Sequence, residues 1–252
     1  MSIFLSVIIP CYNEEENLKR NVLVEVKDYL SKKDFSWEVI ISDDGSTDKS
    51  RDLIRKHIQG WGNYRLLENK HGGKPLALRY GIDKAKGKFI LFTDMDQSTP
   101  LDQLDKLIKH LKTYSVVIGS RGLQRKNFPF YRKIGSVAFV YLRKMFILSE
   151  VNDTQCGFKL FERNLIKNAF SRLEFFKRKS RTKGWQVTSY DVELLHITKK
   201  LGAKIKEVVV EWHDKDVSTS KGGGLMRYLR ESTEMFTQII RVKSNDFRGV
   251  YN

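Results

Sequence analysis

Apolar residues along this chain come in two alternating patterns. Short, mostly apolar runs at 6–9, 37–42, 64–67, 89–92 and 116–119 have the length of buried strands. Between them, 14–30, 47–59, 74–84 and 101–111 carry helical spacing. Strand and helix in alternation read as βαβ units. The pattern predicts an α/β fold with a mostly parallel central sheet flanked by helices. Right-handed crossovers then gather the post-strand loops on one sheet edge, where ligands of such sheets bind. The second half is less regular: a basic loop from Ser120, a helix over 131–148, a strand near 157–161 and a helix over 192–201. A strand over 203–210 and an amphipathic stretch over 225–242 follow. No linker-like composition or repeat divides the chain, so one domain is expected over 1–252.

The expected loop edge collects Tyr12-Asn13-Glu14, Asp43-Asp44-Gly45-Ser46, His71-Gly72-Gly73-Lys74 and Asp94-Met95-Asp96. Two carboxylates two residues apart after a strand can both reach a hard cation such as Mg²⁺ or Mn²⁺. Asp43 and Asp44 can accept from a base N–H or from ribose hydroxyls, while Asp-Gly is also a turn signal and Ser46 or Thr47 a helix cap. Lys74 opens a helix behind two glycines, a placement suited to phosphate, although the P-loop spacing is absent. His71 reads as a surface loop histidine. Thr99 and Pro100 read as the cap and first residue of the helix over 101–111.

Charge narrows the partners. Of the 252 residues, 46 are Lys or Arg and 30 are Asp or Glu, a net charge of +16 that implies a polyanionic partner. Nucleic acid fits the charge but not the convergence of Asp43, Asp44, Asp94 and Asp96 on one edge, since carboxylates repel phosphate backbones; no nucleic-acid partner is expected. Cys11 and Cys156 are too few for a disulfide framework and lack metal-ligand spacing, so a reducing compartment is expected. The first residues have no basic region and their apolar run breaks at Pro10, unlike a signal peptide. The longest later apolar run, 135–142, stops well short of the roughly 20 residues that span a bilayer.

Three segments in order carry a resemblance: Val7-Ile8-Ile9-Pro10-Cys11-Tyr12-Asn13-Glu14, Asp43-Asp44-Gly45-Ser46-Thr47-Asp48 and Asp94-Met95-Asp96. Together they resemble family 2 glycosyltransferases of the GT-A fold. Asp153 to Phe161, Tyr190 to Leu195 and Val210 to His213 are similar to the dolichyl-phosphate β-glucosyltransferases within that family. The resemblance implies a nucleotide-binding half of about 1–120 and an acceptor half of about 121–243. It implies that Pro10, Tyr12, Glu14 and Asp43 cradle uridine, with Asn13, Asp44, Lys74 and Met95 in the same nucleotide-sugar site. Asp94 and Asp96 would hold Mg²⁺ or Mn²⁺ on the diphosphate. Related mannosyltransferases carry a further metal-ligating glutamine two residues on, where this chain has Ser98, with Gln97 one earlier. Arg121, Arg132, Ser136 and Lys221 would face the acceptor phosphate. Asp96, Asp191 and Arg121 would act on the reacting groups, Asp191 by orienting, although it also reads as a helix N-cap.

The reaction implied is an inverting transfer of sugar from a nucleotide-sugar donor, UDP-glucose, to a polyprenyl-phosphate lipid. A GDP-mannose donor or another acceptor is the alternative. Such an acceptor lives in a bilayer, so peripheral attachment to the cytoplasmic face of a membrane is expected. Two stretches could meet an anionic membrane surface. Residues 172–183 carry six basic residues and one acidic, with Phe175 and Phe176 among them, and 225–242 places apolar positions beside arginines.

Overall fold

A computed structural model describes residues 2–122, 144, 147–177, 190–213 and 225–251; over 225–236 it describes the helical backbone and, of the side chains, Thr233 alone. The strands are β1 (Leu5–Cys11), β2 (Trp37–Asp43), β3 (Tyr64–Glu68), β4 (Phe89–Phe92), β5 (Val116–Ser120), β6 (Lys159–Glu162) and β7 (Ile205–Val209). The helices are α1 (Glu15–Lys19), α2 (Val22–Leu30), α3 (Ser50–Ile58), α4 (Lys74–Lys84), α5 (Leu104–Ile108), α6 (Arg163–Ser171), α7 (Glu174–Lys177), α8 (Tyr190–Lys200) and α9 (Leu225–Phe247). One sheet takes the order β3-β2-β1-β4-β6-β5-β7. It is parallel except at β6, which runs antiparallel to both β4 and β5. The C-terminal ends of the other six strands therefore share one edge, and β6 begins there.

Side chains alternate across the sheet, so each strand feeds two cores. Ile8, Ile40, Ile90, Phe92, Ile118 and Phe161 pack on one face with α4, α6 and α8. Val7, Ile9, Val39, Ile41, Leu91, Val117 and Leu160 pack on the other with α2 and α5. Pro10 sits inside β1, where its missing N–H needs an explanation. Ile8 accepts from Thr93 of the β4 side and Cys11 from Asp44 of the β2 side, so Pro10 faces β4. Register with β4 ends at Ile8–Phe92 while pairing with β2 continues to Cys11–Asp43. Proline thus occupies the position where β1 and β4 part, and that gap is the site's floor.

Three of the helices expected in the first half are laid out differently from the hydrophobic pattern. The helix expected over 14–30 breaks into α1 and α2 because Asn21 adopts a left-handed conformation, φ +59°. The helix expected from 47 starts at Ser50, since Ser46, Thr47 and Asp48 tie the preceding loop to Asn13 and Glu15. Over 101–111 a 3-10 turn, Leu101–Gln103, precedes α5, and Thr99 caps nothing; its hydroxyl lies 3.9 Å from Cys156 Sγ. Most of the helix expected over 131–148 lies outside the described residues, as do Arg132, Ser136 and Lys221.

Candidate active site

Asp43 and Asp44 end β2 side by side, both fully buried, and divide their work. Asp43 Oδ1 accepts from the Gly45 and Ser46 amides, each at 3.1 Å, and from Arg51 Nε at 2.5 Å. Its Oδ2 is buried and takes no hydrogen bond, leaving a carboxylate oxygen available to a donor from a ligand. Asp44 is committed internally. Its carboxylate accepts from Gly72 N–H at 3.0 Å and Gly73 N–H at 2.8 Å, and His71 Nδ1 stands 2.8 Å from Oδ2. Asp44 therefore shapes the loop ahead of Lys74.

His71 is an exposed loop histidine, as the sequence suggests, but its ring is engaged. Its ring stacks on Tyr12, centroids 4.5 Å apart and planes 23° from parallel. Gly45, at φ +82°, permits the approach: a Cβ there would stand 2.8 Å from the His71 amide nitrogen. Nothing in the spacing of the motifs required an aromatic ring at 71. Two other residues expected at the nucleotide site also have structural roles. Pro10 is buried in β1, and Asn13 joins the β1 and β2 loops through Ser46 Oγ at 2.9 Å and Thr47 N–H at 2.8 Å.

The Asp94-Met95-Asp96 loop lies over the gap beside β4. The Met95 side chain points into the core, 2% exposed, and anchors the turn, so any contact it makes with a nucleotide falls to its backbone. Asp94 Oδ1 meets Lys74 Nζ at 2.5 Å. Burial works against the Lys74 charge, but Asp94 outweighs it, helped by Asp191 and Asp96, and holds the ammonium above its ordinary pKa. Burial, then repulsion from Asp94, raises the Asp96 carboxyl. Glu14 belongs to the same group of charges. Burial lifts its pKa to about 7 against the Asn17 hydrogen bond, and Asp96 and Asp94 add to the rise. Gln97, the nearest residue to the missing glutamine position, gives its amide to the Asp94 carbonyl at 2.8 Å.

The second half closes the site from the opposite side. Gly157, just before β6, leaves room for Asp94: a Cβ there would fall 2.0 Å from Asp94 Oδ2. Lys159 is 1% exposed and donates to Asp191 Oδ1 at 2.6 Å and to the Cys156 carbonyl. Asp191 lies in the first turn of α8, which begins at Tyr190, so its side chain serves that ion pair and not an N-cap. Arg121, just after β5, makes a two-pronged ion pair with Asp153 at 2.7 and 2.8 Å and stacks 5.7 Å from Trp212. Burial opposes both charges, yet the pair holds Asp153 well below the usual carboxylate range and Arg121 above its own. Glu207 of β7 fixes the turn beneath, accepting from the Asn152 and Asp153 amides at 2.7 and 2.8 Å. His213 N–H reaches Ser98 O at 2.8 Å and lays the segment after β7 along the aspartate loop. Lys159, Asp153 and Glu207 are site-supporting residues that a charge pattern alone does not reveal, because their partners are 32 to 55 positions away.

The pair of aromatics expected to insert into a membrane is otherwise engaged. Phe175 and Phe176 are partly buried against the core, Phe176 5.9 Å from Phe170. Among the described residues, no helix is long and apolar enough to cross a membrane.

Solved structures that share this architecture include glycosyltransferases of the GT-A fold. Mannosyl-3-phosphoglycerate synthase from Rubrobacter xylanophilus superposes with a TM-score of 0.64 at 14% identity, over 98% of this chain and 75% of that one. Glucosyl-3-phosphoglycerate synthase from Mycobacterium tuberculosis, crystallised with Mn²⁺ and UDP-glucose, gives 0.62 at 18% identity, over 96% and 79%. The chain belongs to glycosyl transferase family 2, whose model matches residues 6–170. Among curated relatives, the dolichyl-phosphate beta-glucosyltransferase of Dictyostelium discoideum is 33% identical over 99% of this chain and 77% of its own length. The human protein of the same name is 32% identical over 82% and 67%.

Proposed function

We propose that this glycosyltransferase moves glucose from UDP-glucose to a dolichyl-type polyprenyl phosphate with inversion, using Mg²⁺ or Mn²⁺ at Asp94 and Asp96. The observation that carries the reading is the convergence, at one sheet edge, of an unpartnered buried carboxylate oxygen on Asp43 with the Asp94–Lys74–Asp96 cluster. It is supported by relatives named for that activity at about a third identity.

In this reading Asp43 Oδ2 accepts the base N–H and Tyr12 stacks on the base. Two hard carboxylates of unequal burial fit a divalent cation that completes its shell with phosphate oxygens and water. When bound, that cation neutralises charge on the departing diphosphate. Lys74 adds a cation at the same place, and Glu14 limits how much negative charge the site carries when empty. Arg121, with Arg132, Ser136 and Lys221, receives the acceptor phosphate. A phosphate-monoester oxygen attacks the anomeric carbon, the bond from that carbon to the β-phosphate oxygen breaks, and UDP leaves with the electron pair. The monoester's second pKa is near ~6, so the nucleophile is already ionised at neutral pH and Asp191 orients without taking a proton. One domain spans 1–252 in this reading, attached peripherally at the cytoplasmic face of a membrane.

Radiolabelled UDP-glucose, UDP-galactose and GDP-mannose, each with a polyprenyl phosphate, test the proposal by label entering the organic phase. UDP-glucose is expected to label it, and EDTA or Asp96→Asn to abolish the transfer. Label from GDP-mannose alone overturns the donor, and full transfer in EDTA by metal-free protein overturns the metal.

A further inference from the structure

His71 is held from several sides. The buried Asp44 presents two acceptors to its Nδ1, the carboxylate at 2.8 Å and the main-chain carbonyl at 3.0 Å. Both are acceptors, so Nδ1 carries the ring proton. Gly45 lets the His71 backbone pass closer than any side chain would allow. The ring so fixed lies against Tyr12 at 4.5 Å. Three polar or conformational constraints thus orient one imidazole, and among the described residues it stacks on Tyr12, just past the end of β1.

Resting on the nucleotide-sugar reading above, we propose that His71 is a positioning residue for the donor's base, acting through Tyr12. Tyr12 is only half-buried, and a phenol held less firmly would surrender more rotamer freedom each time a base stacked on it. Stacked on His71, it is already in one orientation, and the base adds as a third layer. The same Asp43-Asp44 pair then sets both dimensions of base recognition. Asp43 Oδ2 meets the edge, and Asp44 fixes the ring that supports the face. His71 is thereby a determinant of donor affinity that is absent from the motifs carrying the family resemblance.

The discriminating variant is His71→Asn, whose amide nitrogen replaces Nδ1–H toward Asp44 while the ring is lost. Calorimetric titration of the full chain with UDP in Mn²⁺ is expected to show a Kd raised about fivefold to tenfold, with an unchanged melting temperature. In a Tyr12→Leu background the same substitution is expected to change Kd less than twofold, because the tyrosine through which it acts is gone. His71→Asn within twofold of wild type overturns the proposal. So does a full-sized effect in the Tyr12→Leu background, which means that His71 meets the nucleotide itself. Wild-type protein that binds neither UDP nor GDP overturns the nucleotide-sugar reading and this inference with it. Wild-type binding of UDP beside an unaffected His71→Asn overturns the inference alone.

Discussion

At the scale of single residues, two positions tie backbone and burial to the proposed chemistry. Gly157 faces Asp94 so closely that a methyl group would overlap the carboxylate, at 2.0 Å from Oδ2 and 2.7 Å from Cγ. Asp94 is a short side chain at a partly open loop, so it can swing aside at modest cost to the fold. Gly157→Ala is therefore expected to lower transfer at least tenfold while the melting temperature moves by only a few degrees, about 1 kcal/mol of stability. Wild-type activity in that variant would show that Asp94's present position is dispensable. Glu14 makes a second prediction. Burial raises its pKa from 4.5 to about 7, so the folded chain holds an extra proton between those values. Stability of metal-free protein then falls as pH rises through that window. Urea midpoints from pH 4.5 to 7.5 are expected to drop less steeply for Glu14→Gln than for wild type. The other raised carboxyls, Asp44, Asp96 and Glu193, have the same sign and remain in both proteins.

Among elements, the reversed strand β6 is the one that ties the second half of the chain into the site. Its antiparallel entry at the loop edge delivers Lys159 to α8, where the ammonium meets Asp191 in the helix's first turn. Lys159 is 1% and Asp191 9% exposed, so neither charge has water to fall back on. Removing one partner of such a pair costs about 3–5 kcal/mol, whereas replacing both with apolar groups is often near neutral. Lys159→Met is accordingly expected to lose several kcal/mol in urea unfolding, and Lys159→Met with Asp191→Leu to recover most of that. The double variant should remain inactive if Asp191 orients the acceptor. A folded, active double variant would reduce the pair to a structural clasp between β6 and α8.

On the scale of the whole molecule, the end of α9 brings exposed apolar residues and basic side chains together. Ile240 and Phe247 are 72% and 95% exposed, seven residues apart, and so share one helix face. Arg172 and Lys177 donate to the carbonyls of Tyr251 and Val250, which joins the basic stretch to the same end of the molecule. The acids nearby are already engaged, Glu174 with Arg241 and Asp246 with Lys200. Arg172, Lys177, Lys243 and Arg248 have no carboxylate partner among the described residues. This face is the expected contact with an anionic bilayer, in place of Phe175 and Phe176. The protein should sediment with phosphatidylserine vesicles at low salt and be largely released at high salt, where screening shortens from about 8 Å. Phe247→Ser with Ile240→Ser should weaken binding about tenfold or more, and Phe175→Ser only through any loss of folding. Vesicle binding indifferent to salt and to the double variant would assign the contact to another surface.

Hydrophobic runs and strand-end carboxylates were legible without coordinates because both are local. A buried parallel strand must be continuously apolar, and its C-terminal end must fall on the loop edge, so β1, β2 and β4 and their Asp43, Asp94 and Asp96 could be placed by reading along the chain. Composition likewise determined the excess of positive charge. Tertiary structure alone decided which of two adjacent aspartates is spent on the protein and which keeps an open oxygen, because that depends on a loop 27 to 29 residues away. It also decided that β6 runs backward, that Met95 faces inward and that Phe175 and Phe176 pack on the core. Side-chain direction at a turn, and the partner of a buried charge, are fixed by what the fold brings opposite them. No local pattern records that.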